Sequence, residues 1–118
     1  MVEVPKVSVS GLRISYDLGV LTQDMLAPNP FDQFGVWFDQ AADSQILEAN
    51  AMVVSTVGQD SQGNARPASR TVLLKDFSES GFSFYTKLES AKSLDIAANP
   101  NVTLLFPWYE LHRPEIIT

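Results

Sequence analysis

Residues 51–75 read AMVVSTVGQDSQGNARPASRTVLLK, and the fold turns on how they are parsed. Ala51 to Val57 is short, apolar and rich in β-branched residues, the composition of a buried strand. Gly58-Gln59-Asp60-Ser61-Gln62-Gly63-Asn64 is a polar, glycine-bearing turn. The chain extends again from Arg66 to Lys75, with Pro67 near the start, where a missing N–H does least harm. Two extended runs joined by so short a turn are antiparallel neighbours, because parallel strands need a longer crossover.

Toward the C-terminus, Asp76 to Gly81 has turn chemistry and Phe82-Ser83-Phe84-Tyr85-Thr86 reads as a third strand, which predicts a meander. Ser90 is placed to cap a short helix through Ala98, with Leu94 and Ala97 or Ala98 facing inward. Asn99-Pro100 stops that helix, and Asn101 to Phe106 gives a fourth strand.

Toward the N-terminus, Asn29-Pro30 pairs an N-cap residue with proline at the first helical position. Phe31, Phe34, Phe38 and Ala41 or Ala42 then recur at spacings of three and four, one apolar stripe with Asp32, Gln33, Asp39 and Gln40 mostly off it. This helix is expected to run to about Leu47. Residues 1–28 hold Pro5, Gly11, Gly19 and Pro28 without a sustained period, and read as a mobile arm ahead of a domain over 29–118. The order predicts an α+β, mainly β class: a small antiparallel barrel or sheet with two flanking helices. Four strands cannot close a barrel. The apolar run Val102 to Tyr109 therefore predicts either a partner chain on the last edge or a shortened form of a longer protein.

Composition narrows the chemistry. The chain has 118 residues, which suits one domain, and 45% of them are hydrophobic, enough for a core. With no cysteine and one histidine, disulfides, thiolate nucleophiles and multi-histidine metal sites drop out. A formal charge of −6 argues against a general nucleic-acid binder, though it says little about one small anionic pocket. No segment reaches the ~18–20 apolar residues that span a bilayer, and Met1 to Ser10 has no signal-type apolar region. A cytoplasmic protein is the default expectation.

Two segments carry unusual chemistry. Arg66-Pro67-Ala68-Ser69-Arg70-Thr71-Val72-Leu73-Leu74-Lys75 puts two arginines, two hydroxyls and a lysine on one strand. Arg66 and Arg70 share a face, while Lys75 falls on the other. Tyr85-Thr86-Lys87 followed by Ser90-Ala91-Lys92 puts hydroxyls and lysines at a helix N-terminus, where free N–H groups favour an anion. Taken singly, the first reads more readily as a half-exposed strand with solvated charges, and the second as a capped helix with a solvated lysine; the combination points to a phosphate site more strongly than either part. His112 shows no nucleophile or metal partner, and Asp17, Asp24, Asp32 and Glu48 show no acid–base pairing. No G-x-G-x-x-G or P-loop pattern is present.

In order and spacing these pieces resemble the pyridoxamine (pyridoxine) 5′-phosphate oxidase family of FMN-binding split-barrels. The likeness covers about Arg13 to Arg113. It rests on Leu12-Arg13-Ile14-Ser15-Tyr16, Asn50 to Val57, Arg70 to Lys75, Gly81-Phe82 with Phe84-Tyr85-Thr86, Ser90-Ala91-Lys92, Asn99-Pro100 and Leu104 to Trp108.

The resemblance implies an antiparallel FMN-binding split-barrel, here only its amino-terminal part. It further implies oxidation of pyridoxamine or pyridoxine 5′-phosphate to pyridoxal 5′-phosphate with O2 as acceptor, by a homodimer. It implies that Arg70, Thr71, Val72, Leu73, Leu74 and Lys75 line FMN, with Tyr85 and Thr86 at the flavin and Lys92 at its phosphate. Arg13 and Tyr16 would cover the substrate, whose phosphate Lys75 also reaches; no catalytic residue and no metal ligand is implied. Two departures stand out: Ala91 where many members carry arginine, and Pro114 where a flavin-contacting glutamine is usual. A non-catalytic module that holds FMN or a pyridoxal phosphate-like ligand is the alternative.

Overall fold

A computed structural model describes Gly11 and residues 22–44, 46–109 and 115–117. Apart from Gly11, a short 3-10 turn at Gln23–Met25 and the residues around it, the predicted arm of 1–28 lies outside these residues, as do Arg13 and Tyr16.

The first helix, α1, spans Pro30–Asp43. Asn29 caps it, its side-chain oxygen accepting from the Phe31 N–H at 2.8 Å, with proline at the first position as expected. It ends short of Leu47, which is exposed. The stripe of Phe34, Phe38 and Ala41 would continue at Ser44 and Gln45, so nothing apolar holds a further turn on the core. Gln33, expected off the stripe, is buried. Its side-chain oxygen accepts from the Ala27 N–H at 2.6 Å, which satisfies the buried amide and fixes the approach to the helix.

Strands β1 (Ala51–Gln59) and β2 (Ala65–Leu73) form the predicted antiparallel pair, in register from Ala51 opposite Leu73 to Gln59 opposite Ala65. Gly58 is thus a buried strand residue rather than part of the turn. The segment read as turn chemistry at 76–81 contains β3 (Asp76–Ser78), which pairs with β4 (Gly81–Ser83) as a separate hairpin. The meander therefore breaks after β2. Glu79 and Ser80 make the tight turn, and Gly81 takes a φ of 134° that a side chain would resist.

Helix α2 (Ala91–Ala98) is capped by Ser90 as predicted. Strand β5 (Thr103–Phe106) pairs with β1, and β6 (Glu115–Ile117) pairs with β5, giving the sheet order β2-β1-β5-β6. The chain's own residues 115–117 thus cover the edge that looked open in the sequence.

Alternation along β1 buries Met52, Val54, Thr56 and Gly58 on one face. Its first half meets an aromatic core centred on Phe34 of α1. That ring lies 4.9 Å from Phe77 and 4.9 Å from Phe82, edge-on to both, and 5.0 Å from Phe106. Trp108 is also buried against it, and its indole N–H donates to the Ala49 carbonyl at 2.9 Å.

The β1–β2 turn is organised by Asp60, whose carboxylate accepts from the Gln62 and Asn64 N–H groups, both at 2.9 Å. These bonds hold its pKa below the ordinary carboxylate value, Asn64 contributing most. A carboxylate depressed by folding stabilises the fold fully above the ordinary range and loses that contribution as pH falls through its folded value. An NMR titration of the Asp60 carboxyl should accordingly give a midpoint below that of a free aspartate. A midpoint at or above the ordinary value contradicts the capping role.

Candidate functional site

The register sorts the basic strand into two faces. Arg66, Ala68, Arg70 and Val72 stand opposite Gly58, Thr56, Val54 and Met52, so they share the core face of the sheet. Ser69, Thr71 and Leu73 lie on the other face, where the Ser69 and Ser55 hydroxyls hydrogen-bond at 2.8 Å. The expected sharing of a face by Arg66 and Arg70 is therefore observed.

Their surroundings differ. Arg66 is half exposed and its guanidinium lies 3.5 Å from the Asp95 carboxylate. Arg70 sits beside the apolar core, and its Nη1 is buried without a hydrogen-bond partner among the described residues. A guanidinium stays charged and presents five donors in a fixed fork. A buried nitrogen of that fork with no acceptor is costly unless an anion completes it.

Beyond β2 the run changes role. Leu74 is a core residue, and its N–H donates to the Asn50 carbonyl at 2.8 Å. Lys75 donates its N–H to the Ser83 carbonyl at 2.8 Å, which carries the chain across to the β3–β4 hairpin and leaves its side chain exposed.

The second segment is joined by hydroxyls. The Thr86 and Ser90 hydroxyls hydrogen-bond at 3.1 Å, Ser90 Oγ donates to Ser93 Oγ at 3.0 Å, and Ser93 Oγ donates to the Lys87 carbonyl at 2.8 Å. Thr86 and the first turn of α2, with Lys92 on it, therefore form one connected unit. Tyr85 is 82% exposed, so its ring is free to face a ligand.

Sequence reasoning missed how α2 meets the sheet. Leu94, Ala97 and Ala98, expected to face inward, are exposed, and the helix's one buried residue is Asp95. Its carboxylate accepts from the Thr56 hydroxyl at 3.0 Å as well as facing Arg66. Gly58 makes room for it, since a Cβ there would collide with Asp95 Oδ1. The signal lay in the alternation of β1, which puts Thr56 and Gly58 on the core face and so demands a polar partner for the hydroxyl.

Taken together, α2 rests on the same sheet face that carries Arg70. An apolar groove of about 340 Å³ between Leu26, Pro28 and α1 involves none of the predicted site residues among the described residues.

Residues 38–117 match the family model described as pyridoxamine 5′-phosphate oxidase. The chain belongs to that family. It is 49% identical over 106 residues to the pyridoxine/pyridoxamine 5′-phosphate oxidase of Bordetella petrii, covering 90% of this chain and 49% of the relative. It is 47% identical over 113 residues to the enzyme of the same name from Streptomyces avermitilis, covering 92% and 49%. The chain thus spans about half the length of these curated relatives.

Among solved structures, PhzG from Burkholderia lata, in complex with tetrahydrophenazine-1-carboxylic acid, superposes with a TM-score of 0.72 at 23% identity. That match covers 83% of this chain and 48% of PhzG. The fold is the antiparallel, mainly β split-barrel expected from the sequence, and FMN is the cofactor that family membership implies. The donor set fits it: the buried, unpaired Arg70 Nη1 calls for an anion, and FMN carries a phosphate. No helix among the described residues is long and apolar enough to cross a membrane.

Proposed function

We propose that this chain binds FMN and provides the flavin-binding part of a pyridoxamine/pyridoxine 5′-phosphate oxidase, working as a homodimer in the cytoplasm. The observation that carries the reading is Arg70, a partly buried arginine whose Nη1 is buried without a partner among the described residues, on the face where α2 also rests. When bound, FMN would supply the hydride-accepting chemistry by which the substrate carbon becomes the aldehyde, with O2 as the final electron acceptor.

The chain's own residues bind and orient. Arg70 and Lys92 neutralise the flavin phosphate, which the α2 N-terminus also favours. Because β2 is an edge strand, the flavin lies across its edge, meeting Val72 on the face of Arg70 and Thr71 and Leu73 on the opposite face, while Leu74 packs beneath and fixes the strand's exit. Tyr85 covers the ring system and Thr86 ties that cover to α2 through Ser90. Lys75, exposed at the crossing to the hairpin, reaches the substrate phosphate, with Arg13 and Tyr16 closing over it.

Anaerobic mixing of the FMN-loaded chain with pyridoxamine 5′-phosphate tests the reaction. Bleaching of the flavin absorbance, restored by admitting air, is the expected result. Retained flavin that stays oxidised would assign the chain to ligand binding without turnover.

A further inference from the structure

Helix α2 carries part of the proposed phosphate site, yet its one buried residue is a carboxylate. An amphipathic helix normally seats itself through an apolar stripe. Here Leu94 on the same helix is 61% exposed, so apolar packing of that residue does not hold α2 down. The seat is instead polar and built from the sheet: the Thr56 hydroxyl donates to Asp95 at 3.0 Å, and Arg66 faces it at 3.5 Å. Gly58 forms a floor with no room for a methyl group. Every partner comes from β1 or β2, the pair that also carries Arg70.

We infer that Asp95 is a positioning residue for the cofactor phosphate, fixing the α2 N-terminus with Lys92 and Ser90 in register with Arg70. The inference rests on the proposed FMN site. Asp95 lies about one turn beyond Lys92, on the side of the helix turned to the sheet, so it touches no ligand itself. Its bond to Thr56 and its ion pair with Arg66 set how far α2 slides along β1 and how it is rotated. A phosphate shared between a strand arginine and a helix N-terminus is sensitive to that setting, because charge-assisted hydrogen bonds demand close, aligned donors. The isoalloxazine ring, which meets strand surface and Tyr85, is not.

FMN and riboflavin separate these effects, since they differ only in the phosphate. Asp95→Asn keeps the shape and an acceptor for Thr56 but removes the charge facing Arg66; Arg66→Gln breaks the same pair from its half-exposed side. Flavin-fluorescence titrations of the full chain should show FMN affinity falling by about tenfold in both variants, with riboflavin affinity unchanged. Equal losses for the two flavins would reduce Asp95 to a purely structural residue and overturn the inference. So would FMN binding that is unchanged in both variants, or strengthened in Asp95→Asn, which would mean that Arg66 itself reaches the phosphate when released. Should Asp95→Asn fail to fold, the Arg66→Gln pair of affinities still decides. Wild-type chain that binds neither flavin overturns the FMN reading and this inference with it, whereas wild-type binding with insensitive variants overturns the inference alone.

Discussion

An Arg70→Ala chain should bind FMN about a hundredfold more weakly than the wild type while melting no lower in the absence of flavin. The first half follows from the geometry of the guanidinium, whose buried Nη1 has no partner among the described residues. Truncating one side of a buried, hydrogen-bonded charge pair costs about 2–5 kcal/mol, and 1.4 kcal/mol is a factor of ten. The second half is the stricter test. A structural arginine would lower the melting point when removed, but a buried nitrogen without an acceptor contributes nothing that alanine forfeits, and its loss relieves a desolvation cost. Arg70→Lys should fall between the two, keeping the charge but not the fork. Parallel FMN titrations and thermal melts of the flavin-free proteins read both halves. A destabilised Arg70→Ala chain with unaltered FMN affinity would make Arg70 part of the fold rather than of the site.

Phe34→Ala should cost about 3–5 kcal/mol of folding stability, the range for removing a buried aromatic side chain. Phe34 of α1 is 3% exposed and lies at the centre of the ring cluster, packing on the β3–β4 hairpin through Phe77 and Phe82 and on the end of β5 and the residues after it through Phe106 and Trp108. Domains of this kind are stable by about 5–15 kcal/mol, so the change removes a large share of the total. Val36→Ala on the same helix is the control: at 49% exposure it should shift stability by no more than about 0.5 kcal/mol. Urea unfolding of the two variants gives the comparison. Similar losses in both would mean that α1 is not held by the ring cluster.

How much of this was legible in the sequence depended on whether the deciding contact was local. The Asn29-Pro30 start of α1, the Ser90 cap and the β1–β2 pair were all readable, because each is set by chemistry within a few residues. The pairing of Asp76–Ser78 with Gly81–Ser83 was missed because a three-residue strand with one apolar residue shows too little alternation to stand out from a turn. The orientation of α2 was misread for a deeper reason. Leu94, Ala97 and Ala98 are the better apolar candidates by composition, and only the tertiary seat formed by Thr56, Gly58 and Arg66 turns Asp95 inward.

The candidate site followed the same division. That Arg66 and Arg70 share a face came from strand period alone. That Arg66 is matched by a carboxylate while Arg70 keeps a free buried nitrogen depends on Asp95, 29 positions beyond Arg66, which no local pattern reveals. Family likeness supplied the names of the ligands; the geometry supplied the reason for Arg70 to need one.

The most direct test of FMN binding by this chain is to incubate the purified protein with FMN, pass it over a gel-filtration column and record the visible spectrum of the protein peak. Flavin absorbance that elutes with the protein is the predicted result, and it should vanish from the peak of the Arg70→Ala chain. Flavin that elutes wholly at the small-molecule volume, with no spectral shift on titration, would contradict FMN binding by Arg70, Thr86 and Lys92.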